Sequence, residues 1–423
     1  MYLIVNIIGI LVFLGIALLF SKDRKNIKWK SVIVVLAINL VLAWIFTSFT
    51  WGRDAVKAAA DGFNWLVQVS YTGISFALAS WVNIKQMDFV TSSLLPILMI
   101  VPLFDILTYI GVLPWIIKWV GRGLSFITGQ PKFESFFSVE MMFLGNTEAI
   151  AVSTLQLKQM SAKRDLTIAM MSMSCVTASI LGAYTQMVPG QYVLTAIPLN
   201  VLNAIIITNI LNPVQVTPEE DTIASLSSSA GDSDSGEAVA TTDAEALGEE
   251  NGKKEPFFSF LGDSILGAGR LILIIAANVI AFVALAALID KILQLFNRNL
   301  TLENILGIIM FPFTWLLGLN VHDAFQFAQF AGTKLVTNEF VVMGKIASTI
   351  NDTKIFDPHY QAQLTVFLTS FANFSTTGMI IGAFKGIVDK EKNDLISKNV
   401  VLMLISGILV SLMSAGIVGL FVW

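Results

Sequence analysis

The chain has 423 residues, of which 55% are hydrophobic and only 13% are charged. The charged fraction is about half that of an average soluble protein, which excludes an ordinary water-soluble domain and indicates an integral membrane protein. Membrane lipid is therefore an expected partner and nucleic acid is not.

Apolar runs long enough to cross a membrane recur along the sequence. A hydrocarbon core of about 30 Å needs roughly 20 apolar residues in a helix. The runs are continuous rather than alternating, so we expect helices and not barrel strands. The clearest are 2–20, 31–49, 93–113, 166–188, 192–212, 271–290, 304–320 and 399–422. The predicted fold class is an all-α integral membrane protein with about eight transmembrane helices.

The first apolar run is followed by the basic cluster SKDRKNIKWK at 21–30. A signal peptide carries its charges before the apolar segment and ends in a small-residue cleavage site, so this run is predicted to stay as a helix. Lysine and arginine in short loops remain on the cytoplasmic side. The sequence therefore predicts a multi-pass protein of the inner or plasma membrane with both termini outside the cytoplasm.

Two segments mix basic residues, tryptophan and apolar positions at helical spacing. They are 52–75 and 115–127. This pattern is typical of helices that lie in the membrane interface.

The stretch MMFLGNTEAIAV at 141–152 is too polar in its middle for a continuous span. Apolar pieces of roughly ten residues flank GNT, and each covers about half a bilayer at helical rise. We therefore predict a re-entrant hairpin of two half-length helices. The same pattern at 323–350, where two pieces meet at VTN, predicts a second hairpin.

After each hairpin, polar residues interrupt another apolar run. The interruptions are SCVTAS at 174–179 and ANFSTTG at 372–378. Non-helical backbone at this depth is tolerated only when protein buries it or when it lines a water-filled cavity. Two hairpins and two broken helices in matching order predict an inverted repeat, the arrangement that marks a transporter's binding site.

An acidic segment at 217–254 separates the two halves. It holds ten acidic residues and two lysines, a net charge of −8, so the rest of the chain carries +4. Because it is rich in serine, alanine and glycine and lacks aromatic residues, we predict a disordered cytoplasmic linker. The predicted domains are an amino-terminal scaffold (1–90), a first repeat (91–213), the linker (214–256), a second repeat (257–398) and a last transmembrane helix (399–423).

A charged side chain at bilayer depth is costly, so an intramembrane glutamate is a functional hypothesis. Glu148 and Glu339 lie at the two hairpin turns, among amides and hydroxyls that suit a polar, uncharged ligand with several hydroxyls. The predicted substrate-binding residues are Asn146, Thr147, Glu148, Ile180, Glu339, Phe371, Asn373 and Thr376. The alternative is that these groups only satisfy one another across helices.

A third acid, Glu140, precedes the first turn. Glu140 and Glu148 are the candidates for carrying a coupling proton. Glu140 could instead pair with a lysine or lie at a hydrated hairpin mouth.

Enzymatic signatures are missing from the sequence. The two histidines, His322 and His359, lie far apart, and the chain has neither clustered cysteines nor a phosphate-binding loop. We therefore expect no enzyme, no cofactor beyond a coupling ion, and transport driven by an ion gradient. A channel, a membrane receptor and a carrier of another small polar metabolite remain alternatives.

Three motifs resemble those of the concentrative nucleoside transporters: GNTEA at 145–149, TNEF at 337–340 and FANFST at 371–376. The similarity extends over nearly the whole chain in the eight-span bacterial arrangement. It implies a homotrimer in which two re-entrant hairpins and two unwound helices form the nucleoside site. It also implies import by a nucleoside:cation symporter with elevator-type alternating access.

The resemblance assigns roles to the predicted site residues. Near the nucleobase it places Asn146, Thr147 and Glu148. Beside the ribose and the ring it places Glu339, Phe371, Asn373 and Thr376. Many family members have Gln where this chain has Asn146, so base preference stays open.

The resemblance also bears on the coupling ion. The family's sodium site uses Asn and Ser side chains at positions that align with Met141 and Cys175, which leaves backbone carbonyls near Leu144 and Val176. A methionine thioether is a poor ligand for a hard cation, which prefers oxygen. We therefore expect coupling to H⁺, with Na⁺ as the alternative and no assigned metal site.

Overall fold

A computed structural model describes residues 2–84, 87–217, 219–221, 223, 249–250, 253–254, 256–298 and 300–423. The helices before the acidic segment are α1 (Tyr2–Leu19), α2 (Trp29–Thr47), α3 (Thr50–Ala77), α4 (Ala79–Val82), α5 (Ile97–Tyr109), α6 (Val112–Thr128), α7 (Lys132–Leu144), α8 (Asn146–Val152), α9 (Thr154–Gln159), α10 (Ala162–Met171), α11 (Leu181–Thr185) and α12 (Gly190–Leu211). Those after it are α13 (Phe257–Gln294), α14 (Leu302–Trp315), α15 (Val321–Val336), α16 (Glu339–Ile346), α17 (Pro358–Leu368), α18 (Phe374–Ile387), α19 (Lys390–Lys398) and α20 (Val400–Gly419).

Within the predicted linker, two-residue strands β1 (Glu249–Glu250) and β2 (Lys253–Lys254) pair in antiparallel fashion. Most of the linker lies outside the described residues. Two further short elements matter for the fold. A π-helical turn at Val90–Leu94 leads into α5, and a 3₁₀ turn at Ala178–Ile180 leads into α11.

Among the described residues, six helical segments are long and apolar enough to cross a membrane: Tyr2–Leu19, Trp29–Thr47, Val90–Tyr109, Gly190–Leu211, Phe257–Gln294 and Val400–Gly419. They correspond to six of the eight predicted runs, and the run at 166–188 lies in an interrupted helix described below. The all-helical membrane fold class is thus confirmed.

The sequence predicts a membrane span at 304–320, and this prediction is wrong. The run contributes α14, a helix of 14 residues that ends at Trp315. Gly318 just beyond takes a φ of 80°, a left-handed conformation that commonly closes a helix. The Asn320 side chain then accepts a hydrogen bond from the Asp323 N–H at 3.0 Å and begins α15. The chain therefore turns back, and α14 packs along α15.

Two helical hairpins are present where the sequence predicts them. Hairpin 1 consists of α7 and α8, which meet at Gly145, and hairpin 2 consists of α15 and α16, which meet at Thr337 and Asn338. Each is followed by an interrupted helix. Broken helix 1 consists of α10 and α11 and is non-helical at 175–177; broken helix 2 consists of α17 and α18 and is non-helical at 369–373.

The two halves repeat one order of elements in opposite directions. In each, a span, a shorter helix, a hairpin and a broken helix follow one another, with α6 packed on α7 and α14 packed on α15. Hairpin 1 begins beside the basic cluster, where Gln130 Nε2 donates to Ser31 Oγ at 2.7 Å. Broken helix 1 begins at this same end, where Arg164 donates to Glu134 at 2.7 Å. Broken helix 2 begins at the opposite end of α2, where His359 Nδ1 lies 2.6 Å from the Val422 carbonyl oxygen and Ser48 Oγ donates to the Phe421 carbonyl oxygen at 3.0 Å. The repeat is therefore inverted.

Helices α12 and α20 form the centre of the bundle, since most of their residues are buried, whereas α13 exposes most of its length. Polar pairs fix the central helices. Asn39 Nδ2 donates to Asn203 Oδ1 at 2.7 Å, and Asn203 Nδ2 donates to Ser414 Oγ at 2.8 Å. This chain of amides joins α2, α12 and α20, as polar groups commonly do between membrane helices.

The segments predicted to be interfacial form α3 and α6. Their tryptophans point outward: Trp51, Trp65, Trp115 and Trp119 are all more than half exposed. The opposite faces are apolar and buried. Location in the membrane interface stays a prediction.

A buried ion pair fastens the beginning of hairpin 1 to broken helix 1. Arg164 Nε and Nη2 donate to the two carboxylate oxygens of Glu134 at 2.7 and 2.8 Å. Arg164 Nη1 also donates to the Glu220 carbonyl oxygen at 3.0 Å. The guanidinium therefore holds α7, α10 and the start of the acidic segment together.

We expect Arg164→Met to lower the free energy of unfolding by about 3 kcal/mol, because Glu134 would stay buried without its cation. Denaturant unfolding of the purified protein in detergent measures the change. Arg53→Met is the control: its pair with Asp54 spans 4.0 Å and both side chains are more than half exposed, so less than about 1 kcal/mol should be lost. Equal losses in the two variants would contradict this account.

Candidate functional site

A cavity of about 610 Å³ lies where the two hairpin turns face the interruptions of the broken helices. Its remaining wall comes from α5 and α13. All eight residues predicted to bind substrate line it: Asn146, Thr147, Glu148, Ile180, Glu339, Phe371, Asn373 and Thr376. Residues from two halves of the chain therefore converge on one space.

Gly145 makes the turn of hairpin 1 possible. Its φ of 96° and ψ of 175° belong to a region that is essentially restricted to glycine. A Cβ at this position would lie 3.1 Å from Glu148 Oε2 and 3.2 Å from Thr177 Cβ. The absent side chain thus lets Glu148 and the first broken helix approach the turn.

Asn146 ties hairpin 1 to broken helix 1. Its Nδ2 donates to the Ser172 carbonyl oxygen at 3.3 Å, and its Oδ1 accepts from the Thr147 N–H at 2.8 Å. Thr177 adds a second tie, because its hydroxyl donates to the Phe143 carbonyl oxygen at 3.0 Å. The Asn146 amide, which the resemblance places near the nucleobase, therefore already has hydrogen-bond partners within the protein.

Glu148 presents its carboxylate to the cavity. Oε2 accepts a hydrogen bond from the Thr147 hydroxyl at 2.9 Å. The side chain keeps accessible surface on the cavity side. Glu148 can therefore accept further hydrogen bonds or a proton.

Asparagine side chains begin the helices on the other side of the cavity. Asn338 Oδ1 accepts from the Val341 N–H at 3.1 Å and starts α16, while Asn373 Oδ1 accepts from the Thr376 N–H at 2.8 Å and starts α18. Asparagine is among the preferred residues at this capping position. The caps satisfy backbone groups that the two interruptions leave without a helical partner.

Glu339 is held on both carboxylate oxygens. Tyr184 Oη donates to Oε1 at 3.0 Å, and Asn373 Nδ2 donates to Oε2 at 3.2 Å. The side chain is only 3% exposed. Tyr184 was missed by the sequence analysis, although a lone tyrosine within the apolar run at 166–188 is a usable signal.

Lys334 was also missed. This lysine of hairpin 2 is completely buried, and its Nζ donates to the Phe367 carbonyl oxygen at 2.6 Å and to Ser370 Oγ at 2.7 Å. The motif GTKLVTNEF carries the signal, because it places a lysine five residues before the intramembrane Glu339. It lies behind the cavity wall rather than in it.

Glu140 is not brought together with the other predicted residues. It is buried on α7 outside the cavity lining, and Ser153 Oγ donates to its Oε2 at 3.1 Å. Of the two proton candidates, only Glu148 reaches the cavity.

Met141 and Cys175, the positions that the resemblance aligns with sodium ligands, both carry sulfur and are buried. The Ser172 hydroxyl lies 3.5 Å from Met141 Sδ and donates a shorter hydrogen bond, of 2.9 Å, to the Ile168 carbonyl oxygen. Leu144 lines the cavity, whereas Val176 does not. Both Ser172 oxygens form hydrogen bonds within the protein, the carbonyl oxygen with Asn146 and the hydroxyl with Ile168.

The cavity carries an excess of carboxylates. Its four acidic residues are Asp105, Glu148, Asp263 and Glu339, and among the described residues that line it there is no lysine, arginine or histidine. Asp105 accepts a hydrogen bond from Ser264, which joins α5 to α13. The space is suited to a neutral ligand rich in hydrogen-bond donors or to one that enters with a cation.

A cavity that holds four carboxylates and is enclosed by helix interruptions, inside a bundle of apolar helices, is typical of a membrane transporter. Comparison with known proteins gives the class. The family model "Na+ dependent nucleoside transporter C-terminus" matches residues 192–419, and the corresponding N-terminus model matches residues 8–81. The chain belongs to the concentrative nucleoside transporter family and is a protein of the plasma membrane.

Individual relatives align with this chain over nearly their whole length. The purine nucleoside transport protein NupG of Bacillus subtilis is 44% identical over 423 residues, all of both chains. The nucleoside permease NupC of Helicobacter pylori is 26% identical and covers 99% of this chain and 97% of its own. The structure of CNTnw in an inward-facing substrate-bound state matches with a TM-score of 0.86 and 25% identity, over 100% of this chain and 98% of that one.

We expect Gly145→Ala to destabilise the protein by about 1 to 3 kcal/mol, because alanine is strained at this φ and ψ. Gly123→Ala in α6 is the matched control. A Cβ there meets nothing within 4 Å, so alanine should be neutral or stabilise the helix by up to about 1 kcal/mol. Unfolding of both variants in detergent distinguishes them; equal stability would refute the strained turn.

Proposed function

We propose that this transporter is a secondary active nucleoside:cation symporter that imports nucleosides with protons. The observation that carries the proposal is the convergence of the Glu148 and Glu339 carboxylates, from two inverted hairpins, on one cavity. Family membership supports the substrate class. Sodium coupling and transport of another small polar metabolite are the alternatives.

The ribose would bind at Glu339. Tyr184 and Asn373 each use one lone pair of the carboxylate and fix its plane. A carboxylate can accept about four hydrogen bonds, so acceptor sites remain for two ribose hydroxyls. Charge-assisted contacts of this kind are stronger than neutral ones, and Thr376 lies beside them on the cavity wall.

The nucleobase would lie between Glu148 and Phe371. Glu148 can accept from a base N–H while Thr147 holds its other oxygen, and the Phe371 ring offers an apolar face. Asn146 would act through the shape of the turn rather than by a direct contact, since both of its amide atoms have protein partners. The name of the Bacillus subtilis relative supports a preference for purine nucleosides.

Proton coupling would operate through Glu148. Sulfur atoms occupy the Met141 and Cys175 positions, and the Ser172 hydroxyl between these residues donates to the Ile168 carbonyl oxygen at 2.9 Å. Hard cations prefer oxygen ligands. A carboxylate that reaches the cavity can instead take up a proton as substrate binds, and Glu148 meets that condition where Glu140 does not.

We further propose elevator-type alternating access in a homotrimer, with both termini outside the cytoplasm. CNTnw structures described as inward-facing and outward-facing match this chain equally well, each with a TM-score of 0.86. Such alternation supports a carrier over a fixed channel. The basic cluster at 21–30 supports the orientation.

We expect Glu339→Gln to reduce kcat/KM for inosine uptake by about 10-fold to 100-fold, because it removes the charge from two ribose contacts. The assay is uptake of labelled inosine into vesicles that contain the purified protein. Glu303→Gln is the control, since Glu303 is partly exposed and pairs with Lys345 at 3.7 Å outside the cavity. Unchanged uptake by Glu339→Gln would contradict the ribose role.

The same vesicles test coupling. With an inward proton gradient and no sodium, inosine should accumulate above its outside concentration, and a protonophore should abolish the accumulation. Glu148→Gln should remove the response to the proton gradient, whereas Glu140→Gln should retain it. Dependence on sodium at fixed pH, without sensitivity to the protonophore, would sink proton coupling; equilibration without accumulation would favour a channel.

A further inference from the structure

Lys392, on α19 after broken helix 2, contacts the first half of the chain. Its Nζ donates hydrogen bonds to the carbonyl oxygens of Leu157 at 2.8 Å and of Lys158 at 2.9 Å. The same Nζ lies 3.3 Å from Asp165 Oδ2, and the lysine side chain is only 11% exposed. One ammonium group therefore joins three separate pieces of the chain: α9, α10 and α19.

Both groups that Lys392 contacts need a donor or a cation. Leu157 and Lys158 belong to the last turn of α9, where a helix leaves carbonyl oxygens without helical donors and favours a positive charge. Asp165 is completely buried in the first turn of α10, and within the described residues its carboxylate oxygens form no hydrogen bond. A buried carboxylate is costly without a cation, so the ion pair with Lys392 offsets that cost.

The chain leaves the turn of hairpin 1 through α8 and then α9, which together are called the returning arm. At the turn, Asn146 Nδ2 donates to the Ser172 carbonyl oxygen of broken helix 1 at 3.3 Å. Where α8 meets α9, Ser153 Oγ donates to Glu140 Oε2 of α7 at 3.1 Å. The ammonium group of α19 holds the arm at a third place, its base. Because the arm carries Glu148 into the cavity, a shift of its base moves this carboxylate.

Resting on the proposed nucleoside function, we propose that Lys392 is a positioning residue for the nucleobase side of the cavity. It fixes the returning arm against broken helix 1, so that Glu148 meets the base N–H. Lys392 itself is not among the residues that line the cavity. The second half of the chain thereby sets the geometry of the hairpin that belongs to the first half.

The ribose side should not depend on this contact. Glu339 lies on hairpin 2 and is held by Tyr184 and Asn373. The described side-chain contacts of Lys392 are with α9 and α10 and do not reach that hairpin. Loss of Lys392 is therefore expected to disturb recognition of the base and to spare recognition of the ribose diol.

A general contribution to stability is the competing explanation. In that case removal of Lys392 would weaken every nucleoside to the same degree. Two analogues of inosine separate the explanations. In 1-methylinosine a methyl group replaces the ring N–H that Glu148 would accept, whereas 2′,3′-dideoxyinosine keeps the base and lacks both hydroxyls that Glu339 would accept.

The experiment is calorimetric binding of the three nucleosides to the full chain in detergent. Wild type should bind inosine more tightly than either analogue. Lys392→Met should lower the ratio of inosine to 1-methylinosine affinity about tenfold, the scale of a hydrogen bond to a charged group, and change the ratio of inosine to dideoxyinosine affinity less than about threefold. Lys390→Met, at an exposed position of the same helix, should leave both ratios unchanged.

The remaining outcomes count against one proposal or the other. Equal weakening of all three nucleosides, or none, overturns the role of Lys392 and leaves the transporter proposal intact. Equal binding of inosine and 1-methylinosine by wild type removes the base contact and overturns the inference as well. Failure of wild type to bind any nucleoside defeats the proposed function instead.

A second variant covers the case in which Lys392→Met does not fold. Adding Asp165→Asn removes the other buried charge, so the double variant should give folded protein. It should show the same loss of base discrimination as expected for the single variant. Failure to recover folded protein, or a double variant with the wild-type ratios, also overturns the positioning role.

Discussion

The constraint on which this structure depends is that a helix interrupted inside an apolar bundle must find partners for its free backbone groups within the protein. Asparagine side chains meet it at the start of α16 and α18, where Asn338 and Asn373 accept backbone N–H groups. At the end of α17, Lys334 donates a hydrogen bond to the free carbonyl oxygen of Phe367. The interruptions are thus stable only because polar side chains lie nearby, and the same side chains make the cavity polar.

Some residues therefore both form hydrogen bonds with free backbone groups and line the ligand cavity. Asn373 caps α18 through Oδ1 and holds Glu339 through Nδ2. Asn146 supports its own turn through Oδ1 and reaches broken helix 1 through Nδ2. A substitution at either position disturbs the turn geometry together with the cavity, so loss of transport in such variants would not by itself identify a ligand contact.

The periodicity of apolar residues predicts most of the fold, since spans, hairpins and interruptions each have a characteristic length. It fails at 304–320, where composition alone cannot distinguish a span from a 14-residue helix that turns back at Gly318. The six polar residues among the eight predicted to bind substrate share one cavity because polar groups within apolar runs have few other places to lie. The hydrogen-bond partners of Tyr184 and Lys334 could not be predicted, because Glu339 and Phe367 are distant from them along the chain.

The inverted repeat supplies two similar hairpins, and the sequence gives them unlike electrostatics. Glu339 is enclosed and hydrogen-bonded on both carboxylate oxygens, whereas Glu148 is accessible and held by one hydroxyl. An enclosed carboxylate that is held on both oxygens has a fixed orientation, which suits recognition of hydroxyls. An accessible carboxylate changes its charge more easily when solvent access changes, which suits coupling. One architecture, duplicated and inverted, can in this way divide substrate recognition and ion coupling between its two halves.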